Sequence, residues 1–135
     1  MQVKKSFEMD CSHRLENPKL NKEQNEEIFG KCYNYPSHGH TYKLEVTVSG
    51  PQSNGMVINF AELKKVVTEL IIDKCDHHFL NEVEMFKGRI TTAETMCEVF
   101  WKILDDYFTS AKPSIILLKI EVFETSTSSA CLELK

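Results

Sequence analysis

Between Thr41 and Ser49 apolar and polar residues alternate without a break, Tyr42, Leu44, Val46 and Val48 on one parity and Thr41, Lys43, Glu45, Thr47 and Ser49 on the other. Successive side chains of an extended chain point to opposite faces, so this is the pattern of a strand with one face in a core and one in water. Gly50-Pro51 ends it. Val3 to His13 repeats the theme, with Val3, Phe7, Met9 and Cys11 set against Lys4, Ser6, Glu8, Asp10 and Ser12. Two half-buried strands need a layer over their apolar face, and the sequence supplies two helices for it. Asn59 can cap a helix in which Phe60, Leu63, Val66, Val67, Leu70 and Ile71 form a stripe at helical spacing, ending near Lys74. Thr91 to Glu94 has the T-x-x-E form of a capping box, and Met96, Val99, Phe100, Ile103, Leu104 and Tyr107 continue a second stripe that stops before Pro113.

Ile115 to Glu124 reads as a third strand and Cys131 to Leu134 as a fourth, after a turn at Thr125 to Ser129. The Glu-, Lys- and Asn-rich stretch from Asn21 to Phe29, followed by Gly30, reads as a polar loop or a short surface helix. The order strand, strand, helix, helix, strand, strand predicts an α+β fold, a four-stranded antiparallel sheet with two helices on one face. At 135 residues, with no linker, repeat or biased tract, one domain covering residues 1–135 is expected. Sixteen Lys and Arg against twenty Asp and Glu give a net charge of −4, which argues against non-specific nucleic-acid binding. No apolar run approaches the roughly 18 residues of a membrane-spanning helix. The opening Met1 to Lys5 is not followed by a signal-like apolar region, so a soluble, cytoplasmic protein is expected. Five cysteines, odd in number and without a C-x-x-C pair, point to reduced thiols rather than a disulfide framework or a Cys-rich zinc knuckle.

Extended past the strand ends, the parities reach the chemistry. Phe7, Met9 and Cys11 lead in steps of two to His13, and His38 and His40 lead likewise to Tyr42 and Leu44. Three imidazoles on the buried parity of two strands can hold one metal ion on one side and leave a fourth position open, as a catalytic zinc requires. A lone histidine there would be a satisfied core or rim residue; three together favour a metal site. Cys32, six residues before His38, is either a fourth ligand or a free thiolate beside the metal. Cys11 could compete for those roles, though its neighbours favour packing. Cys75, Cys97 and Cys131 are sufficiently explained as small core hydrophobes. Asp76-His77 follows the first long helix, where a carboxylate beside an imidazole can tune a base or simply form a surface turn. Glu124 falls on the parity of Leu118, Ile120 and Val122, so its carboxylate is either paired structurally or awaits a ligand with adjacent N–H donors. Glu94 stays open between a capping and a ligand role, since the capping box explains it without any ligand.

Ser12-His13-Arg14-Leu15, Phe29-Gly30-Lys31-Cys32, His38-Gly39-His40 with Tyr42-Lys43, Gly55-Met56-Val57, Asp76-His77, Thr92-Ala93-Glu94 and Val122-Phe123-Glu124-Thr125, in this order and spacing, resemble the 6-pyruvoyl-tetrahydropterin synthase family over nearly the whole chain. The resemblance implies a lyase converting 7,8-dihydroneopterin triphosphate to 6-pyruvoyl-tetrahydropterin with release of triphosphate. It implies the tunnelling fold too, in which three subunits close a barrel and two trimers stack as a homohexamer. By the same resemblance His13, His38 and His40 look like Zn2+ ligands and Cys32 like the base. Asp76 and His77 look like relay partners from an adjacent subunit, and Glu124, Glu94 and Thr92 like substrate-binding residues. The 6-carboxy-tetrahydropterin synthases of queuosine biosynthesis are the nearest alternative, although their Cys-to-His spacing is typically shorter. A non-catalytic zinc-binding module with Cys32 as fourth ligand is the alternative of another class. Cys11 and Ala93 stand where relatives usually have other small or hydroxyl residues, and Tyr33, Tyr35 and Pro36 make the loop before His38 bulky.

Overall fold

The computed structural model describes every residue from Met1 to Lys135. Strands β1 (Gln2–His13), β2 (His38–Ser49), β3 (Ile116–Thr125) and β4 (Ser128–Glu133) form an antiparallel meander in the order β1-β2-β3-β4. The β1–β2 connection carries α1 (Lys22–Phe29) and a 3-10 turn at Gly30–Tyr33. The β2–β3 connection carries α2 (Phe60–Val67), a π-helical turn at Thr68–Ile72, α3 (Asp73–Cys75), 3-10 turns at Leu80–Glu82 and Glu84–Phe86, and α4 (Ala93–Ala111). No helix is long and apolar enough to cross a membrane.

The alternation becomes the core. Met9, Tyr42, Leu44, Val46, Ile120 and Val122 are buried beneath Leu63, Val67 and Ile71 of the α2–α3 helix and Met96, Phe100 and Leu104 of α4. The other sheet face is a charge ladder: Glu45 accepts the Ser6 hydroxyl at 3.2 Å and pairs with Lys4 and Lys43, and Lys119 pairs with Glu121 at 3.2 Å.

Several local expectations need correction. β2 begins at His38, because its end is paired residue for residue with β1 (Cys11 opposite His40, His13 opposite His38). Of the two readings of the stretch from Asn21, the short surface helix is the one observed, secured by a capping box between Asn21 and Gln24 and ended by Gly30 at φ 55°. The helix begun at Phe60 runs to Cys75, but the π turn re-phases it so that Val67, Ile71 and Cys75 are buried, whereas Phe60 on its first turn is exposed. α4 is capped by the Thr92 side chain, which accepts the Thr95 N–H, not by Thr91. A bulge opposite Thr47–Val48 breaks the parity of β3: Leu117 is buried, Leu118 is only partly so, and Ile120 and Val122 are buried again. Glu124 therefore shares a face with Ile120 and Val122 but not with Leu118. β4 starts at Ser128, leaving a shorter turn, and Cys131 on this edge strand is exposed, not a core residue.

Candidate metal centre and active site

The register that pairs β1 with β2 builds the site. His13 lies opposite His38, and His40 is two residues along the same face, so the three rings converge with centroids 4.6, 5.0 and 5.3 Å apart. One ligand-capable atom from each lies within 4.8 Å of the others. The His13 Nδ1–H donates to the Thr91 carbonyl at 2.7 Å, which fixes the tautomer and leaves Nε2 as the unprotonated nitrogen. Tyr42, fully buried, sets its hydroxyl 3.3 Å from either His13 ring nitrogen.

His38 Nδ1 and His40 Nε2 are buried without any hydrogen-bond partner. Such atoms cost about 1–3 kcal/mol each when nothing satisfies them. A Glu124 carboxylate oxygen lies 3.5 Å from His40 Nε2 without making a hydrogen bond to it. Burial pushes the His13 and His38 pKa values down, and the repulsion of neighbouring imidazolium forms adds to this, while the Thr91 carbonyl (for His13) and the Glu124 carboxylate oppose it. Neutral rings are the form a metal takes up. Convergent, with His13 buried and two ring nitrogens left without partners, the three imidazoles fit a divalent ion such as zinc.

Cys32 is half-buried on its 3-10 turn, and its carbonyl accepts the Leu15 N–H at 2.9 Å. Its sulfur lies outside the group of atoms that close to within 4.8 Å, so the geometry gives no support to a fourth ligand. It nonetheless shares the site's field: burial first, then the charges of Glu124, Cys11 and Cys32, push the Tyr42 hydroxyl far above its ordinary range. Cys11 donates its thiol to the Cys75 carbonyl at 3.2 Å, and burial pushes it up to about 12, so it is a packed and inert thiol.

Asp76 and His77 gather with Asp10 in a group separate from the three histidines, at the polar side of β1. Asp76 accepts the Asp10 N–H at 2.8 Å and pairs with His77 Nδ1 at 3.0 Å, and His77, at φ 59°, presents an exposed ring. The dyad is held by hydrogen bonds within its own subunit and faces outward.

Glu124 and Glu94 line one small cleft with Ala93, Ser128 and Ser129. Because Thr92 and Thr95 complete the cap, Glu94 is freed from that duty and stands exposed beside Glu124. Sequence reasoning missed Thr91, whose carbonyl orients His13, Tyr42, which alternation assigned to packing, and Asn81 and Arg14, which bridge the segments around the site. Only Tyr42 carried a signal, its place two residues beyond His40 on the same face.

Fold and site together define an α+β protein with a three-histidine group able to hold a metal ion at one end of a four-stranded meander. Residues 2–134 match the family model for 6-pyruvoyl tetrahydropterin synthase. The chain is 41% identical over 120 residues to the 6-pyruvoyl tetrahydrobiopterin synthase of Dictyostelium discoideum, covering 87% of this chain and 84% of the relative. It is 37% identical over 130 residues to the Homo sapiens enzyme of that name, covering 94% and 87%. The solved Caenorhabditis elegans 6-pyruvoyl tetrahydropterin synthase superposes with a TM-score of 0.89 at 30% identity, covering 100% of this chain and 96% of that one. The chain belongs to the 6-pyruvoyl tetrahydropterin synthase family, a family of lyases.

Proposed function

We propose that the chain is a cytoplasmic, zinc-dependent lyase that converts 7,8-dihydroneopterin triphosphate to 6-pyruvoyl-tetrahydropterin and triphosphate in tetrahydrobiopterin biosynthesis. The observation that carries this reading is the convergence of His13, His38 and His40 with two buried nitrogens left without partners, in a chain of this family. Zinc bound there would act as a Lewis acid toward the side-chain oxygens of the substrate and acidify the adjacent C–H bonds.

Cys32 takes the proton, a role suited to a thiolate beside a cationic site. His77, held at Nδ1 by Asp76, relays it from a neighbouring subunit. The Glu124 carboxylate accepts the amino and ring N–H groups of the pterin in charge-assisted hydrogen bonds, with Glu94 of the same cleft and Thr92 at the cap of α4 completing the pocket. Loss of a proton beside the phosphate ester lets its C–O bond break, the electron pair leaving with triphosphate. The side-chain carbons end as ketones and the ring takes up the hydrogen, so the redox change is internal. A homo-oligomer follows from the same reading, three chains closing a barrel and two trimers stacking.

Incubation of the zinc-loaded protein with 7,8-dihydroneopterin triphosphate, with chromatographic identification of the product, is the test. The pyruvoyl product with free triphosphate is the outcome expected. A 6-carboxy product would assign the chain to the other branch of the family, and no turnover would leave a binding module.

A further inference from the structure

The Asn81 side chain makes three hydrogen bonds around one point of the chain. Its Oδ1 accepts the Arg14 N–H at 3.0 Å and the Thr91 hydroxyl at 3.3 Å, and its Nδ2 donates to the Arg14 carbonyl at 2.7 Å. Pairing both backbone groups of a residue is what a neighbouring strand does, and β1 ends one residue earlier, at His13. Asn81 thus replaces a strand partner where the ladder stops.

Both sides of that point lead into the site. On one side Thr91, fully buried, receives the His13 Nδ1–H on its carbonyl. On the other, the Arg14 Nε–H donates to the Tyr33 carbonyl at 2.7 Å and the guanidinium lies 4.1 Å from the Tyr33 ring centroid. The next N–H, of Leu15, donates to the Cys32 carbonyl at 2.9 Å. A single side chain therefore governs both the backbone that follows a metal-ligand candidate and the backbone that holds the turn of the thiol.

We propose that Asn81 is a positioning residue that sets the His13 imidazole and the Cys32 turn in one register. Its effect on metal rests on the reading of the three histidines as a zinc site; its effect on the His13 hydrogen bond does not. Removing an outer partner of a metal-binding histidine typically weakens the metal about 10- to 100-fold. Asn81→Ala deletes all three bonds. Asn81→Asp keeps the acceptor but turns a second acceptor toward the Arg14 carbonyl. Thr91→Val removes only the hydroxyl bond, leaving the carbonyl in place.

The test uses the full chain in two forms. In metal-free protein labelled at histidine nitrogen, the His13 Nδ1–H resonance should be protected from exchange in the wild type, less so in Thr91→Val and lost in Asn81→Ala. In zinc competition against a chelator, Asn81→Ala should bind about 10- to 100-fold more weakly, and alkylation of Cys32 should be at least several-fold faster. Should Asn81→Ala not fold, Asn81→Asp is read in its place by the same measurements. Unchanged Nδ1–H protection in Thr91→Val and in the Asn81 variant would overturn the inference. If the protection changes as expected while His38→Ala also keeps wild-type zinc affinity, Asn81 keeps its positioning role and the zinc reading fails.

Discussion

At the scale of single residues, placement on a face decides what a group can do. Cys11 and Cys32 are both thiols near the histidines, yet burial raises Cys11 to about 12, while Cys32 stands half-buried on a turn outside the metal-ligand group. If Cys32 moves a proton and does not coordinate, Cys32→Ala should fold, keep its zinc and lose turnover by roughly 10²- to 10⁴-fold, the usual worth of a general base. Parallel zinc analysis and kinetics check this; loss of zinc would indicate a structural ligand instead. Asp76 gives a pH signature. The Asp10 N–H, with help from His77, holds its carboxyl below the ordinary value of 3.8. The folded state then binds that proton less readily than the unfolded chain, so the contribution is fully present above the unfolded pKa and is lost as pH falls toward the depressed folded value. The stability gap between wild type and Asp76→Asn should hold steady near neutral pH and close below about pH 4 in denaturant titrations. A gap that persists undiminished at about pH 3 would contradict the assignment.

At the scale of elements, local chemistry fixes ends that periodicity leaves loose. The α4 stripe was legible because Met96, Phe100 and Leu104 recur at helical spacing and are buried, but the cap fell one residue later than the T-x-x-E pattern implied. The cause is tertiary: Thr91 is withdrawn into the core, where its carbonyl serves His13 and its hydroxyl serves Asn81. Thr92→Ala should accordingly lower stability by about 1 kcal/mol in urea unfolding, with Thr92→Ser restoring it, whereas Glu94→Ala should not produce a comparable loss. Equal stability of Thr92→Ala and wild type would refute the cap. Strands β1 and β2 and all three site histidines could be read from alternation, because a period of two survives wherever a ladder is regular. The bulge in β3 and the π turn after Val67 could not, since each inserts a residue without changing composition. Nor could the segment from Asp76 to Asn81, which has no period and is shaped by bonds to β1 backbone groups: His77 N–H to the Asp10 carbonyl, and Ser12 N–H to the His78 carbonyl.

At the scale of the whole molecule, those same bonds cover one part of an open edge. The outward groups of β1 near Asp10 and Ser12 are paired within the chain, while alternation leaves those of Lys4, Ser6 and Glu8 free, and β4 ends the sheet on the other side. Free edges invite another chain, so if copies close the proposed ring, the first half of β1 meeting β4 of a second copy would be its seam. Sedimentation should give a multiple of three chains for the wild type. Ser6→Pro, which removes an outward donor that β2 does not use, should shift the protein toward single chains. A wild-type monomer at micromolar concentration, or full assembly of Ser6→Pro, would contradict that seam. The proposed zinc underlies every step of the proposed reaction, and its stoichiometry is the most direct test. Protein purified without added zinc should hold one zinc per chain, and His38→Ala, prepared identically, should hold far less. Equal metal content in the two would contradict the account.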